Sequence, residues 1–264
     1  MKHFVLNHEP DKNTVRLTGK DYHYLVNVRR LAVGECFPAL LPSAKCGEVT
    51  IRIQSIDGKV LTGLCINADT PCSNSIQPPI KLILFQALPK GDKMDLIVRQ
   101  AAEGGLEEIV PFVSDFSAAR TRKNQKQAVG AQKMERWKRI IREARQQSGS
   151  VIATELHDPL NEDKLFEYWE NLKKTSPAVL GLFFHHIPLE QESLHGYLKN
   201  VPQTVVLVIG PEGGFSDEEA SRFLEAGFKP FTIGDTILRT ETAALYCAAA
   251  IRIILLERDK WDLK

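Results

Sequence analysis

Between Val49 and Ile66 apolar and polar residues alternate. Val49, Ile51 and Ile53 recur at every second position, Asp57-Gly58 interrupts, and the alternation resumes in VLTGLCI. A period of two broken by Asp-Gly predicts a β-hairpin. Nearby, KDYHYLVNVRRL has the spacing of a short helix, with Tyr24, Val28 and Leu31 on one side. The segment Asp69 to Pro79, DTPCSNSIQPP, has three prolines and little apolar periodicity, and reads as a linker. Beyond it the pattern changes. Short apolar runs beginning at Ile80, Glu107, Ala178, Thr204 and Lys229 predict buried strands. Between them, helical stretches fall at 92–103, 133–147, 188–199, 216–226 and 240–257. Apolar strands alternating with helices predict an α/β fold whose parallel sheet is covered on both faces. The expected organisation is a small β-rich domain, residues 1–72, followed by a larger α/β domain, residues 73–264.

Composition narrows this picture without redirecting it. With 264 residues and 43% apolar content, the chain can bury a substantial core and is neither disordered nor collagen-like. No apolar run approaches the ~18 residues of a membrane span, and MKHFVLNHEP lacks a signal-peptide core. Five cysteines, an odd number without a C-x-x-C, predict free thiols in a reducing compartment. A cytoplasmic protein without a membrane partner is expected. The net charge of +1 conceals a basic concentration: from Arg120 to Arg145 ten basic residues face only Glu135 and Glu143. The next stretch, Glu155 to Glu170, has six acids against Lys164.

Candidate chemistry lies at two strand exits. VVLVIGPEGGFSDEEA leaves an apolar strand through Gly210-Pro211-Glu212-Gly213-Gly214 and enters a helix at once; Ser216 with Glu219 forms a capping-box pattern. Strand, glycine turn and helix start form the usual ligand position of α/β proteins. Neither common phosphate fingerprint fits, and Glu212 within the turn favours a neutral or cationic ligand. A purely structural tight turn is the competing reading. The second exit, IGDTILRTETAALYCAAAI, passes Gly234 and starts a helix near Thr240 or Thr242. Arg239 there opposes the helix dipole and calls for an anionic partner.

These two stretches, IGPEGGFSDEE and GDTILRTETAA, closely resemble the signatures of the 16S ribosomal RNA uracil-N3 methyltransferases of the SPOUT superfamily. The resemblance extends to HYLVNVRRLAVGE, QALPKGDKMDLIVRQAAEGGLEEIVPF and RWKRIIREARQQSG, nearly the whole chain. It implies a C-terminal domain with a deep trefoil knot, an N-terminal barrel like the PUA RNA-binding module, S-adenosylmethionine as methyl donor, and a homodimer. The implied target is uridine 1498 of 16S ribosomal RNA within the small subunit. A non-catalytic RNA-binding protein retaining the fold is the alternative, and a metabolic nucleotide-binding enzyme explains the turn but not the basic segment. No metal is expected.

Carried over residue by residue, the resemblance implies a cofactor cradle of Gly210, Pro211, Glu212, Gly213, Gly214, Ile233, Gly234, Ile237, Leu238, Arg239, Thr240, Thr242 and Ala243. Arg239 is the candidate for stabilising charge on the uracil ring, which must be turned out of any stack to expose N3. Glu212 and Glu241 accept a proton or orient their neighbours, and the His185-His186 pair ends a strand. RNA contacts are expected from Arg29, Arg30, Lys90, Arg99, Arg120, Arg122, Arg139 and Arg142. Trp137, with Ile140, Ile141 and Ala144, falls on the core-facing stripe of the basic helix. Ser150, Gly104 and Thr236 depart from the family pattern.

Overall fold

The computed structural model describes residues 3–42, 48–66, 80–117, 129–176, 178–185, 189–200, 202–232, 234 and 236–261. The expected linker at Asp69–Pro79 lies outside them. The chain divides into two compact units, one of residues 1–76 with 145–153 and the other of residues 77–144 with 154–264. Residues 145–153, which the sequence pattern assigned to the second domain, group with the first unit.

In the first unit, β1 (Phe4–Val5), β2 (Thr14–Thr18), β3 (Cys36–Leu40), β4 (Glu48–Asp57) and β5 (Val60–Ile66) form one sheet in the order β1-β3-β4-β5-β2. β4 and β5 form the expected hairpin, closing at the Asp57–Val60 pair with Gly58 at φ +59°. The alternation places Ile51, Ile53 and Leu61 in a core with Phe4, Leu25 and Phe37. Helix α1 (Gly19–Tyr22) continues into a π-wound segment, His23–Val28. The wider winding, seen in the Arg29 N–H donating to the Tyr24 carbonyl at 2.9 Å, rotates the expected face. Leu25 is therefore buried, while Val28, grouped by the sequence with Tyr24 and Leu31, is 59% exposed although those two pack against the core.

Arg145 also belongs to this unit. Its guanidinium donates to the carbonyls of Leu41 (2.7 Å), Ser150 (3.1 Å) and Val151 (3.0 Å). Burial pushes its pKa down to about 10, with the charge of Glu9 opposing. This member of the basic segment is thus an internal strut of the fold.

The second unit is built on a six-stranded parallel sheet. In chain order its elements are β6 (Lys81–Ala87), α2 (Lys93–Glu103), β7 (Glu108–Phe112), α3 (Ala131–Ser148, to residue 144 in this unit), β8 (Glu155–Leu156), α4 (Glu162–Thr175), β9 (Val179–Phe184), α5 (Leu194–Leu198), β10 (Thr204–Ile209), α6 (Asp217–Glu225), β11 (Lys229–Phe231) and α7 (Thr240–Trp261). The sheet order is β11-β9-β10-β6-β7-β8. Strand alternation divides the apolar residues between two cores. Leu82, Leu84, Ile109 and Leu207 pack with α2, α3 and α7, whereas Ile83, Phe85, Val110 and Val208 pack with α4 and α6. Both faces are covered, as continuous apolar strands require.

Five expected strands and most helices are present; α5 is shorter than the expected 188–199. Helix α4 is absent from the pattern reading because its acids dominate that stretch, yet Leu165 and Trp169 form a buried stripe. Gly181 in β9 is required sterically: an added Cβ would lie 2.4 Å from the Phe228 ring and 2.9 Å from Trp169. Trp137 is core, 1% exposed, with its indole N–H donating to Asp95 at 2.9 Å. Among the described residues no helix is long and apolar enough to cross a membrane.

Candidate active site

The two glycine-bearing exits meet. All six strands run in the same direction, so β9, β10 and β11 release their following loops at one rim of the sheet. After Ile209 the chain turns through Gly210–Gly214, with Gly214 at φ +72°, a conformation that favours glycine. Ser216 then caps α6, accepting from the Glu219 N–H at 3.2 Å while Glu219 accepts from the Ser216 N–H at 2.9 Å. The Ser216 hydroxyl donates to Asp115 at 2.6 Å, pinning the turn to the loop after β7. Gly213 packs against that loop too: a Cβ there would fall 2.9 Å from the Cβ of Phe116. The missing side chain at Gly213 thus serves protein packing as well as ligand access.

A cavity of about 760 Å³ lies between this turn and the segment leading into α7. Its wall includes all five residues from Gly210 to Gly214, then Gly234, Ile237, Leu238, Arg239, Thr240 and Ala243. Ile237 is 81% exposed at the described chain's surface. Ile233 lies outside the described residues, and Thr242 is exposed and off the wall. The sequence did not indicate Lys93, Phe184, Phe231, Thr232 or Cys247, which also line it. Their signal was positional: Phe184 and Phe231 end their strands at the same rim. His185, placed by the sequence at a strand end, follows β9, is buried at 7% exposure and stands on the cavity wall; His186 is outside the described residues.

Polar contacts assign different roles to the candidate groups. Glu212 accepts from Lys93 Nζ at 2.7 Å and from the Lys90 N–H at 3.1 Å. Burial alone would raise its pKa, but the Lys93 hydrogen bond, backbone donors at Glu212 and Lys90, and the Lys93 charge hold it below the ordinary carboxylate range. A carboxylate so engaged orients its neighbours and is a weak proton acceptor. Glu241 is half-buried, off the cavity wall, and 3.9 Å from the same Lys93. The Arg239 carbonyl accepts from the N–H groups of Thr242 (2.9 Å) and Ala243 (2.8 Å), starting α7. Arg239 is an exposed residue of the wall whose side chain has no ion pair among the described residues, so its guanidinium is available to an anionic group. Thr240 is 5% exposed and its hydroxyl donates to the Gly210 carbonyl at 2.6 Å. Main-chain groups, small side chains and aromatic edges suit an adenine-bearing, positively charged methyl donor.

None of the described residues expected to contact RNA is on the cavity wall. Lys90 and Arg99 are exposed, neither on the cavity wall. In the first unit Arg30 is exposed with φ +57°, while Arg29 is partly buried. On α3, Arg139 is exposed and stands 3.9 Å from Glu143, and Arg142 is half-buried. Arg136 is paired with Asp95. Arg120 and Arg122 lie outside the described residues.

A glycine turn and a second loop closing one cavity at the carboxyl rim of a parallel sheet define the class, and the family model described as RNA methyltransferase domain matches residues 77–252. A ribosomal RNA small subunit methyltransferase E from Synechocystis sp. is 32% identical over 244 residues, covering 92% of this chain and 74% of that protein. Its namesake from Bacillus subtilis is 28% identical, covering 90% and 89%. The solved structure of the Neisseria gonorrhoeae protein of that name, bound to S-adenosyl methionine, superposes with TM-score 0.75 at 25% identity, covering 96% of this chain and 98% of that one. The chain belongs to the ribosomal RNA small subunit methyltransferase E family.

Proposed function

We propose that this enzyme methylates N3 of a uridine in 16S ribosomal RNA, the family target uridine 1498, with S-adenosylmethionine held in the cavity of the second unit. The observation that carries the reading is the convergence of the Gly210–Gly214 turn and the 234–240 segment on one 760 Å³ cavity. Bound there, the donor supplies an electrophilic methyl group on a sulfonium. The turn gives main-chain contacts and close approach, and Leu238 with Ala243 gives apolar contact. Arg239 offsets the negative charge that develops on the uracil ring when N3 loses its proton. Lys93, Glu212 and Glu241 keep the turn and the start of α7 together, so the two carboxylates act as orienting groups.

Residues 1–72 are proposed as the PUA-like RNA-binding domain and 73–264 as the knotted SPOUT domain. The five-stranded sheet and the family membership support this division. A homodimer is supported by α7, whose exposed Tyr246, Ile253 and Leu256 accompany an apolar groove of about 240 Å³ against α2. Arg29, Arg30, Lys90, Arg99, Arg139 and Arg142 are the proposed RNA contacts, in a cytoplasmic enzyme acting on the small ribosomal subunit.

Mass spectrometry of 16S ribosomal RNA from a strain lacking the gene tests the target. Loss of N3-methyluridine, restored by the wild-type chain, is expected; unchanged methylation overturns the assignment. Calorimetry with S-adenosylmethionine separates the enzyme from a non-catalytic RNA binder, which would give no heat.

A further inference from the structure

Strand β6 is apolar from Leu82 to Phe85, and then places Gln86 in the interior at 0% exposure. Its Nε2 lies 3.0 Å from the Ala87 carbonyl and 3.0 Å from the Thr240 hydroxyl. A carbonyl oxygen only accepts, so the amide must present its nitrogen there. The same nitrogen donates to Thr240 Oγ1, whose single hydrogen goes on to the Gly210 carbonyl at 2.6 Å. The direction of every bond follows from the chemistry of its two ends. The Gln86 Oε1 atom has no hydrogen-bond partner among the described residues, an arrangement that costs stability in a buried strand. An apolar residue would serve the core better there, so packing does not account for this amide.

We infer that Gln86 is a positioning residue: through Thr240 it fixes the Gly210 carbonyl and the start of α7 in the register that the cofactor cavity requires. Ile209 is paired with Gln86 in the sheet, so the relay begins beside the strand that delivers the glycine turn. It joins three segments that are distant in sequence: the end of β6, the exit of β10 and the first residue of α7. The cavity's two walls are thereby set by one amide that does not itself line the cavity. The inference rests on the cofactor reading given above.

Three variants test it. Gln86→Met keeps the volume and removes both donors; Thr240→Val removes the hydroxyl at the other end; Gln86→Glu replaces a donor with a carboxylate. Binding of S-adenosylmethionine is measured by calorimetry from pH 5.5 to 8.5. For Gln86→Met and Thr240→Val the dissociation constant should rise roughly tenfold, and the double variant should be no worse than either single. For Gln86→Glu the loss should be largest at high pH and should recede in part as pH falls, because a protonated carboxyl regains one of the amide's two donated hydrogen bonds. Without cofactor, backbone amide exchange at 210–214 and 240–243 should quicken in both Gln86→Met and Thr240→Val. Wild-type affinity in Gln86→Met, a Gln86→Glu profile parallel to wild type, or additive losses overturn the inference. If Gln86→Met does not fold, Thr240→Val and the Gln86→Glu profile decide it. Absence of binding by wild type would remove the cofactor reading itself, and the exchange comparison would still judge the relay: unchanged exchange refutes it.

Discussion

Lys93 donates to Glu212 at 2.7 Å, fastening the first turn of α2 to the glycine turn after β10. The same ammonium stands 3.9 Å from Glu241 on the first turn of α7. One flexible cation thus connects three elements around the cavity. Replacing it by Lys93→Met should leave Glu212 and Glu241 as neighbouring carboxylates without their shared counter-charge. The stability cost should be about 1 kcal/mol or less, because both partners retain solvent contact. S-adenosylmethionine affinity should fall several-fold, read by calorimetry beside chemical denaturation. Unaltered affinity would show that the ion pair does not organise the cavity.

Arg239 makes its helix-starting contacts through the carbonyl, which any residue supplies. Arg239→Ala should therefore retain the melting temperature and cofactor binding within a small margin. Turnover in a methyl-transfer assay on small-subunit particles should drop by at least about a hundredfold, the scale of losing one charge-stabilising group. Near-normal turnover would refute the role proposed for the guanidinium.

Gly213 and Phe116 restrict each other. A Cβ at Gly213 meets the root of the Phe116 side chain at 2.9 Å, where rotamer changes give no relief. Gly213→Ala should cost about 2 kcal/mol. Adding Phe116→Gly, which removes the Cβ that the new methyl meets, should recover part of that loss, a coupling measurable by a double-mutant cycle in urea.

The sequence made the sheet legible because parallel strands buried on both faces are continuous apolar runs, and β6, β7, β9, β10 and β11 each announce themselves that way. The turn at Asp57-Gly58 and the Ser216 cap were equally local signals. The cavity's glycines and Arg239 were legible through paired motifs. Lys93 and Gln86 were not, because their importance comes from contacts made across the fold: Gln86 meets Thr240 across 154 positions of sequence. The face of the segment at His23–Val28 was misread for a different reason. Its i→i+5 winding has no compositional mark, and a 3.6-residue period selects Val28 where the wider turn buries Leu25.

Glu108 predicts a pH dependence. Burial raises its pKa, but hydrogen bonds from His157, Lys81 and Tyr168 and the charge of Lys81 outweigh this, lowering it from 4.5 to about 2. His157 is raised above 6.5, first by that hydrogen bond, with burial opposing. A depressed carboxyl stabilises the fold above its unfolded pKa and loses that contribution as pH falls toward about 2. A raised imidazole contributes below its unfolded pKa and loses that as pH rises through its folded value. Glu108→Gln removes both. Its deficit against wild type should be greatest between pH 4.5 and 6.5 and shrink on either side. Roughly 2 kcal/mol is expected at the maximum, by denaturant titration across pH. A deficit independent of pH would contradict the coupling.

Arg139 lies on the exposed side of α3, opposite the buried Trp137. Reversing two charges with Arg139→Glu and Arg142→Glu should weaken RNA binding and flatten its dependence on salt. Filter binding between low and physiological ionic strength would show it. Identical salt slopes for the variant and wild type would exclude this face from the RNA contact.

The uniform direction of the six strands separates two kinds of vulnerability. Their carboxyl ends deliver the glycine turn, Phe184 and Phe231 to the cavity, while Lys81 and Glu108, with Thr204 alongside, stand at the amino ends. Damage to the first rim should impair ligand handling in a protein that still melts normally. Damage to the second should lower the melting point of molecules that, while folded, remain competent. A single library scored for both properties would split along the sheet, and the protein's two selective pressures would appear as opposite edges of one slab.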